Sequence, residues 1–235
     1  MKAILKREFR SYFVSPIGYV CVAVLACLYG FFYAQVMLYG TSSYISDIVY
    51  GSIFMFNLML IPIITMKSLS EDKKNKTDQA LLTAPVSTTG IIIGKFLGAF
   101  SIYFIGSTLG LLPAVAMSTF SSLSWGIVLG NYVATLLYGG AVISIGIFIS
   151  SLTESQIIAA IATFVVSMFL LFMGDIAYAL SGNIFGVILT WLSFSDRYTI
   201  FTKGIFSFSN ALYFISVIVV FVFLTARKVE SRRWN

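Results

Sequence analysis

The residues of this chain that could do chemistry are few. Among 235 residues there are nine acids, fifteen lysines and arginines, and no histidine. The densest charged stretch, from Glu71 to Asp78, lies between two long apolar regions. Cys21 and Cys27 stand six residues apart on different faces of one apolar segment, so they predict neither a disulfide nor a metal site. Without histidine, zinc binding and general acid or base catalysis lose their usual residue, and we predict no catalytic or metal site.

One stretch has the outline of a phosphate-binding loop. Gly90 to Lys95 reads GIIIGK, with three residues between the glycines rather than the four that such a loop requires. Phe96 follows where a serine or threonine is needed. We therefore expect no ATP site and no cofactor in this chain, so ATP-driven work would need a separate ATPase.

The surrounding sequence is that of a membrane protein. Hydrophobic residues make up 59% of the chain and charged residues 10%, whereas soluble proteins are roughly half apolar and about a quarter charged. A helix needs roughly 20 apolar residues to cross a bilayer core about 30 Å thick. Six runs without charge reach or approach this length: Ile17 to Leu38, Val49 to Met66, Phe96 to Ala116, Gly126 to Ile149, Ile157 to Met173 and Asn210 to Leu224. Pro16 is expected to open the first helix, and Ser87 or Thr88 to cap the third. We predict an all-α integral membrane protein, a single transmembrane domain over residues 1–235 with six transmembrane helices.

A seventh apolar run, Ile184 to Phe194, has eleven residues and is too short to cross, which favours an interfacial or re-entrant segment. With six spans, thirteen lysines and arginines lie on the cytosolic side and two, Arg197 and Lys203, lie outside. If residues 176–194 also crossed, the ratio would fall to eleven against four. The positive-inside rule therefore favours six spans with both termini in the cytosol, in a cytoplasmic membrane of the bacterial type.

Residues 1–15 predict an amphipathic helix on the cytosolic leaflet. Apolar side chains recur at helical spacing, at Leu5, Phe9, Tyr12 and Phe13. Cations on another face would meet anionic lipid headgroups. The membrane-interface residues are predicted to be Lys6, Arg7, Phe9 and Arg10. An ordinary basic flank of the first span is the alternative.

Residues 67–95 form the only sizeable cytosolic loop in this topology. Thr77 can cap a short helix that Pro85 stops soon after. With polar side chains on one side and Leu81 and Leu82 on the other, such a helix suits docking into a groove of a partner protein. A solvated connector without a partner is the alternative.

This loop resembles the signature of the type-2 ABC exporter permeases. In that family a charged run leads into Gly-Thr-x-Glu-x-Leu-Leu-x-x-Pro-Val-Ser and ends in Gly-Lys. The matching residues here are Glu71, Thr77, Leu81, Leu82, Thr83, Pro85, Val86, Ser87, Gly94 and Lys95. The six-span plan, the amphipathic start and the basic tail also match, so the resemblance covers essentially the whole chain. Residues 196–233 are similar to the gliding-motility and nitrous-oxide-accessory branch.

The resemblance implies that residues 67–95 are a coupling loop whose helix sits in a cleft of a separate ATP-binding subunit. The ATPase-coupling residues would be Glu71, Thr77, Leu81, Leu82, Thr83 and Pro85. The partner would bind ATP and Mg²⁺, and two permeases would assemble with two ATPases as a homodimer or with a related permease. Lys76 stands where the family usually has glycine, and Gln79 where it often has glutamate. These departures put the local turn, and any salt bridge to the ATPase, in question.

We therefore expect the permease subunit of an ATP-driven exporter. The spans carry no charge, so the pathway should be apolar or weakly polar and suit an amphipathic or lipid-like substrate such as a peptide, toxin or glycolipid. The few polar exceptions, interpreted mainly as boundary or packing residues, are Gln35, Asn57, Glu154 and Asp175. An ion-coupled carrier or channel is the alternative function, and a membrane-embedded enzyme is a third, poorly supported one.

Glycines four residues apart predict close helix packing. The pairs are Gly94 and Gly98, Gly106 and Gly110, and Gly126 and Gly130, with Gly139, Gly140 and Gly146 following. Pro62 and Pro113 predict kinks in the second and third spans.

Overall fold

The computed structural model describes residues 2–39, 45–77, 87–120, 122–180 and 184–231. Within them every regular element is helical. The elements are α1 (Lys2–Val14), α2 (Pro16–Tyr39), a π-helical segment (Ile45–Gly51), α3 (Ser52–Thr65), α4 (Ser70–Lys74), α5 (Thr88–Leu109), α6 (Leu112–Ser118), α7 (Trp125–Leu152), α8 (Gln156–Ala179), α9 (Ile184–Leu192), α10 (Phe194–Thr202) and α11 (Phe208–Ser231).

Six helical stretches of the described chain are long and apolar enough to cross a membrane. They are Pro16–Leu38, Ile45–Lys74, Thr88–Ser118, Trp125–Leu152, Gln156–Ala179 and Phe208–Ser231. The predicted number of spans is confirmed, although the stretches run past the apolar runs because a helix continues beyond its last apolar residue. The short α9 is not among them.

The helix starts follow the predicted signals. Pro16 is the first residue of α2. The Ser87 hydroxyl caps α5 by accepting a hydrogen bond from the Gly90 amide at 3.2 Å. Pro113 lies four residues after Leu109, where α5 ends, and a proline there cannot donate to the Leu109 carbonyl. The third span is therefore divided into α5 and α6 at the position the proline predicts.

The bundle is built around α7. In the most apolar part of each span, 72% of the α7 residues are buried, against 22% in α8 and in α11. At its centre the Asn57 amide donates to the Tyr103 hydroxyl at 2.7 Å, and Tyr103 donates to the Thr135 carbonyl at 3.2 Å. Asn57 is thus a buried packing residue, whereas Glu154 and Asp175 are exposed near helix ends.

The glycine pairs of α5 mark where α1 and α2 pack on it. A Cβ atom at Gly94, Gly98, Gly106 or Gly110 would lie within 3.0 Å of a neighbouring side chain. The neighbours are, in order, Ile4, Glu8, Leu25 and Tyr29. On α7, Gly139 receives the Tyr103 ring in the same way, but Gly126 and Gly130 have no described neighbour within 4 Å. Close packing within the chain is therefore confirmed for the α5 pairs and not seen for the third pair.

Candidate functional site

Three helices meet at one buried ammonium group. Lys95, in the second turn of α5, is 2% exposed. Its Nζ atom lies 3.0 Å from Glu8 Oε1 on α1 and 2.5 Å from Asp72 Oδ2 on α4, and it donates to the Ser68 carbonyl at 2.6 Å. The Asp72 contact is an ion pair without the alignment of a hydrogen bond. We call Glu8, Asp72 and Lys95 the charged triad, and the end of the bundle that holds it the α1 end.

Together with Arg7, the charges of the triad compensate one another. A lysine ammonium has three donors, and here three acceptors surround it. The half-exposed Arg7 guanidinium lies 2.9 Å from the Glu8 carboxylate and 3.8 Å from that of Asp72, so two cations face two anions. Removing one member of such a buried group destabilises a protein by about 3–5 kcal/mol, because an uncompensated charge stays inside.

Asp72 also binds the start of the segment that follows α4. The Thr77 hydroxyl donates to Asp72 Oδ1 at 2.9 Å and to the Asp72 carbonyl at 3.2 Å. One carboxylate therefore contacts Thr77, before residues 78–86, and Lys95, after them. The two sides of the loop are joined through a residue that the sequence interpretation did not single out.

The turn between α4 and Thr77 has the geometry that glycine favours. Lys76 has φ +56°, in the left-handed region, and directly follows Asn75, the residue that caps the end of α4. The Asn75 amide donates to the Glu71 carbonyl and the Lys76 amide to the Lys73 carbonyl, both at 3.0 Å. The lysine in the family's glycine position thus keeps a turn that a glycine would adopt without strain.

Hydrogen bonds hold α1 against the end of α3. The Tyr12 hydroxyl donates to the Ile64 carbonyl at 2.8 Å, and the Lys67 ammonium donates to the Ser15 hydroxyl at 3.0 Å. Burial, with a smaller contribution from the Glu8 carboxylate, raises the pKa of Tyr12 well above its ordinary value. Tyr12 is therefore a neutral donor at any physiological pH.

A second set of bonds holds α4 against the end of α7. The Ser150 hydroxyl accepts from the backbone amides of Leu69 and Ser70 at 3.1 and 3.0 Å. The Lys73 ammonium donates to the Ser151 carbonyl. The short α4 is thus fixed to α5 and α7 through side chains.

A cavity of about 420 Å³ lies between α1 and α4. Its lining includes Arg7, Tyr12, Lys67, Glu71 and Thr77 together with the charged triad. Glu71 is half-buried and makes no ion pair with another described residue. Its carboxylate is therefore the member of the lining that can still accept a cation.

The profile of the ABC-2 family transporter proteins matches residues 2–230. The chain belongs to this family. It is accordingly a membrane permease of an ABC transporter, a transport component that is not itself catalytic and that works with an ABC ATPase. No curated protein matches the chain significantly. Among the described residues of this ABC-2 permease, no group of three or more His, Cys, Asp or Glu side chains could hold a metal ion.

The structure places some of the predicted site residues of this ABC-2 permease and not others. Glu71 and Thr77 lie together on the cavity. The other coupling residues, Leu81, Leu82, Thr83 and Pro85, and the short helix predicted there lie outside the described residues. The predicted interface residues Lys6, Arg7, Phe9 and Arg10 all lie on the exposed side of α1.

Sequence reasoning missed Glu8 and Asp72, and it took Lys95 only as part of a motif. A signal for Glu8 was present, since it is the single acid in the basic α1 and lies four residues before Tyr12, on the same helix face. Asp72 carries no comparable signal, because several charged neighbours surround it in the sequence.

Proposed function

We propose that this ABC-2 permease is the membrane subunit of an exporter whose ATPase docks at the α1 end, through the loop 67–95. The observation that carries the proposal is that Glu71 and Thr77 line the same cavity. Thr77 directly precedes residues 78–86 in the chain. The rest of the proposed contact, Leu81, Leu82, Thr83 and Pro85, follows within a few residues.

The chemistry of this end suits a protein partner. The Glu71 carboxylate, which forms no ion pair within the described part of the chain, can bind a lysine or arginine of the ATPase. Leu81 and Leu82 supply apolar side chains for a groove. In this arrangement two ATPases bind ATP and Mg²⁺, and each loop receives the displacement that hydrolysis causes.

We place the α1 end in the cytosol, with α1 on the inner leaflet as an interface helix. Lys6, Arg7 and Arg10 border a shallow groove on the outer side of α1, and Phe9 is exposed beside them. Cations beside an exposed aromatic ring match a helix lying among anionic headgroups. Both termini are then cytosolic, in a bacterial-type plasma membrane.

The filled centre of the bundle supports a path between two permeases rather than through one. The Tyr103 ring occupies the space at Gly139, and its hydroxyl is bonded to Asn57 and Thr135. We propose a homodimer, or a pair with a related permease, joined along the first or second span. Along its apolar joint surface, the pair would carry an amphipathic or lipid-like substrate, such as a peptide, toxin or glycolipid, outward. We also propose that the chain belongs to the gliding-motility and nitrous-oxide-accessory branch.

The test is a reconstitution of the permease with its cognate ABC ATPase. Leu81→Asp should leave the permease inserted and abolish transport, because a charge enters an apolar groove. Thr89→Asp is the matched control, since Thr89 is exposed in the first turn of α5, where an acid is tolerated. Candidate substrates are then ranked by how strongly they stimulate hydrolysis.

Unchanged transport by the Leu81→Asp complex would remove the coupling assignment. Transport by the permease alone, driven by an ion gradient, would instead favour an ion-coupled carrier.

A further inference from the structure

We propose that the charged triad is a latch that makes α1, α4 and α5 move as one body when the loop is displaced. This inference rests on the proposed function, because it assigns the route by which the ATPase's displacement leaves the loop. It concerns Glu8, Asp72 and Lys95, none of which contacts the ATPase in the proposed docking.

The latch can couple the movements of these helices because of where its residues lie along the chain. Asp72 precedes the loop segment and Lys95 follows it, and their ion pair closes the loop at its base. Without that pair, the segment after α4 could pivot at the turn around Lys76 and absorb a displacement of residues 78–86, while α4 stays bonded to α7. With the pair formed, the displacement is passed to α5, which continues directly into the third span.

Glu8 joins α1 to α4 and α5, so that the three helices form one rigid unit. Its carboxylate lies 3.0 Å from Lys95 Nζ, and its Cβ lies where Gly98 leaves space on α5. Gly94, beside Lys95, leaves space for Ile4 in the same way. The two helices are thus in backbone-level contact on both sides of the ion pair, so α1 cannot slide along α5 without breaking it.

Burial makes the latch strong enough for this role. The side chains of Lys95, Glu8 and Asp72 are 1%, 9% and 16% exposed. Water and salt therefore screen these ion pairs far less than they screen surface pairs. The exposed pair of Arg227 and Glu230, with side chains 66% and 43% exposed, is the contrasting case in the same chain.

The decisive variant removes the charges without leaving one unpaired. In Glu8→Gln/Asp72→Asn/Lys95→Met, all three side chains keep their size and none carries an isolated buried charge. The single variant Lys95→Met leaves two carboxylates facing each other and is expected to fold poorly. Arg227→Gln/Glu230→Gln is the control, because it removes an ion pair outside the triad whose side chains are 66% and 43% exposed.

Two measurements on the full chain in nanodiscs test the latch. For the permease alone, hydrogen exchange of the α1 and α4 amides should be faster in the triple variant than in the Arg227→Gln/Glu230→Gln control. In the complex with the ATPase, the triple variant should bind the ATPase and retain hydrolysis, while transport per ATP falls about tenfold, the scale of a coupling free energy between two sites.

Unchanged exchange in α1 and α4, or wild-type transport per ATP in the triple variant, would overturn the latch. Both outcomes leave the proposed function standing, provided that Leu81→Asp still abolishes transport. A wild-type permease that recruits no ATPase would instead overturn the proposed function, and the exchange measurement would still decide whether the triad joins the three helices.

Discussion

Among the described residues, Lys76 is the non-glycine residue with a left-handed backbone. The strain of the turn at Lys76 can be measured by substitution. The left-handed region costs a residue with a β-carbon roughly 1 kcal/mol, and glycine avoids this cost. Lys76→Gly should therefore stabilise the turn after α4 by up to about 1 kcal/mol. The expected result is slower hydrogen exchange in α4 and a higher unfolding temperature in nanodiscs.

Lys74→Gly is the matched control for this residue. It removes the same charge from an exposed lysine two positions earlier, but Lys74 lies in the helix α4. Glycine there should destabilise by about 1 kcal/mol. If both glycine variants destabilise equally, the turn is not left-handed and the comparison with the family's glycine position fails.

At the scale of elements, α5 can pack against α7 because Gly139 has no side chain. A Cβ atom at Gly139 would lie 2.1 Å from the Tyr103 ring. Gly139→Ala should therefore displace that ring, break its bond to Asn57 and destabilise the permease by about 1–3 kcal/mol, as overpacked cores do. Gly130→Ala on the same helix meets no described atom within 4 Å and should be close to neutral. Thermal unfolding of the two variants in detergent measures the difference, and equal stability would contradict the packing of α5 on α7.

The sequence predicts the helices of this chain more fully than it predicts the candidate functional site. Six spans, the start of α2 at Pro16 and the cap at Ser87 follow from local signals: apolar length, a proline and a hydroxyl before a helix. The charged triad does not, because its members come from three helices and their pairing depends on how α1 packs along α5. Nothing in the sequence near Asp72 distinguishes it from Glu71, and both line the cavity, yet Asp72 is ion-paired with Lys95 whereas Glu71 makes no ion pair with another described residue.

For the whole molecule, the distribution of charge sets the orientation. The chain has a formal net charge of +6, and the six-span topology expected from the sequence assigns thirteen of its fifteen lysines and arginines to the side of the α1 end. Of the two others, Arg197 stacks on Tyr213 with 4.1 Å between the guanidinium carbon and the ring centroid. By the positive-inside rule, such an asymmetry predicts that the α1 end lies in the cytosol.

Thiol labelling in intact cells tests this orientation. Lys203→Cys, near the end of α10, should react with a membrane-impermeant maleimide added from outside. Lys74→Cys, in α4, should react only after the membrane is permeabilised. The wild-type chain serves as the blank, because Cys21 and Cys27 both lie within the first span. The reverse pattern would place the triad and the loop outside the cell, where no ATP is available, and would thereby exclude docking of an ATPase at the α1 end.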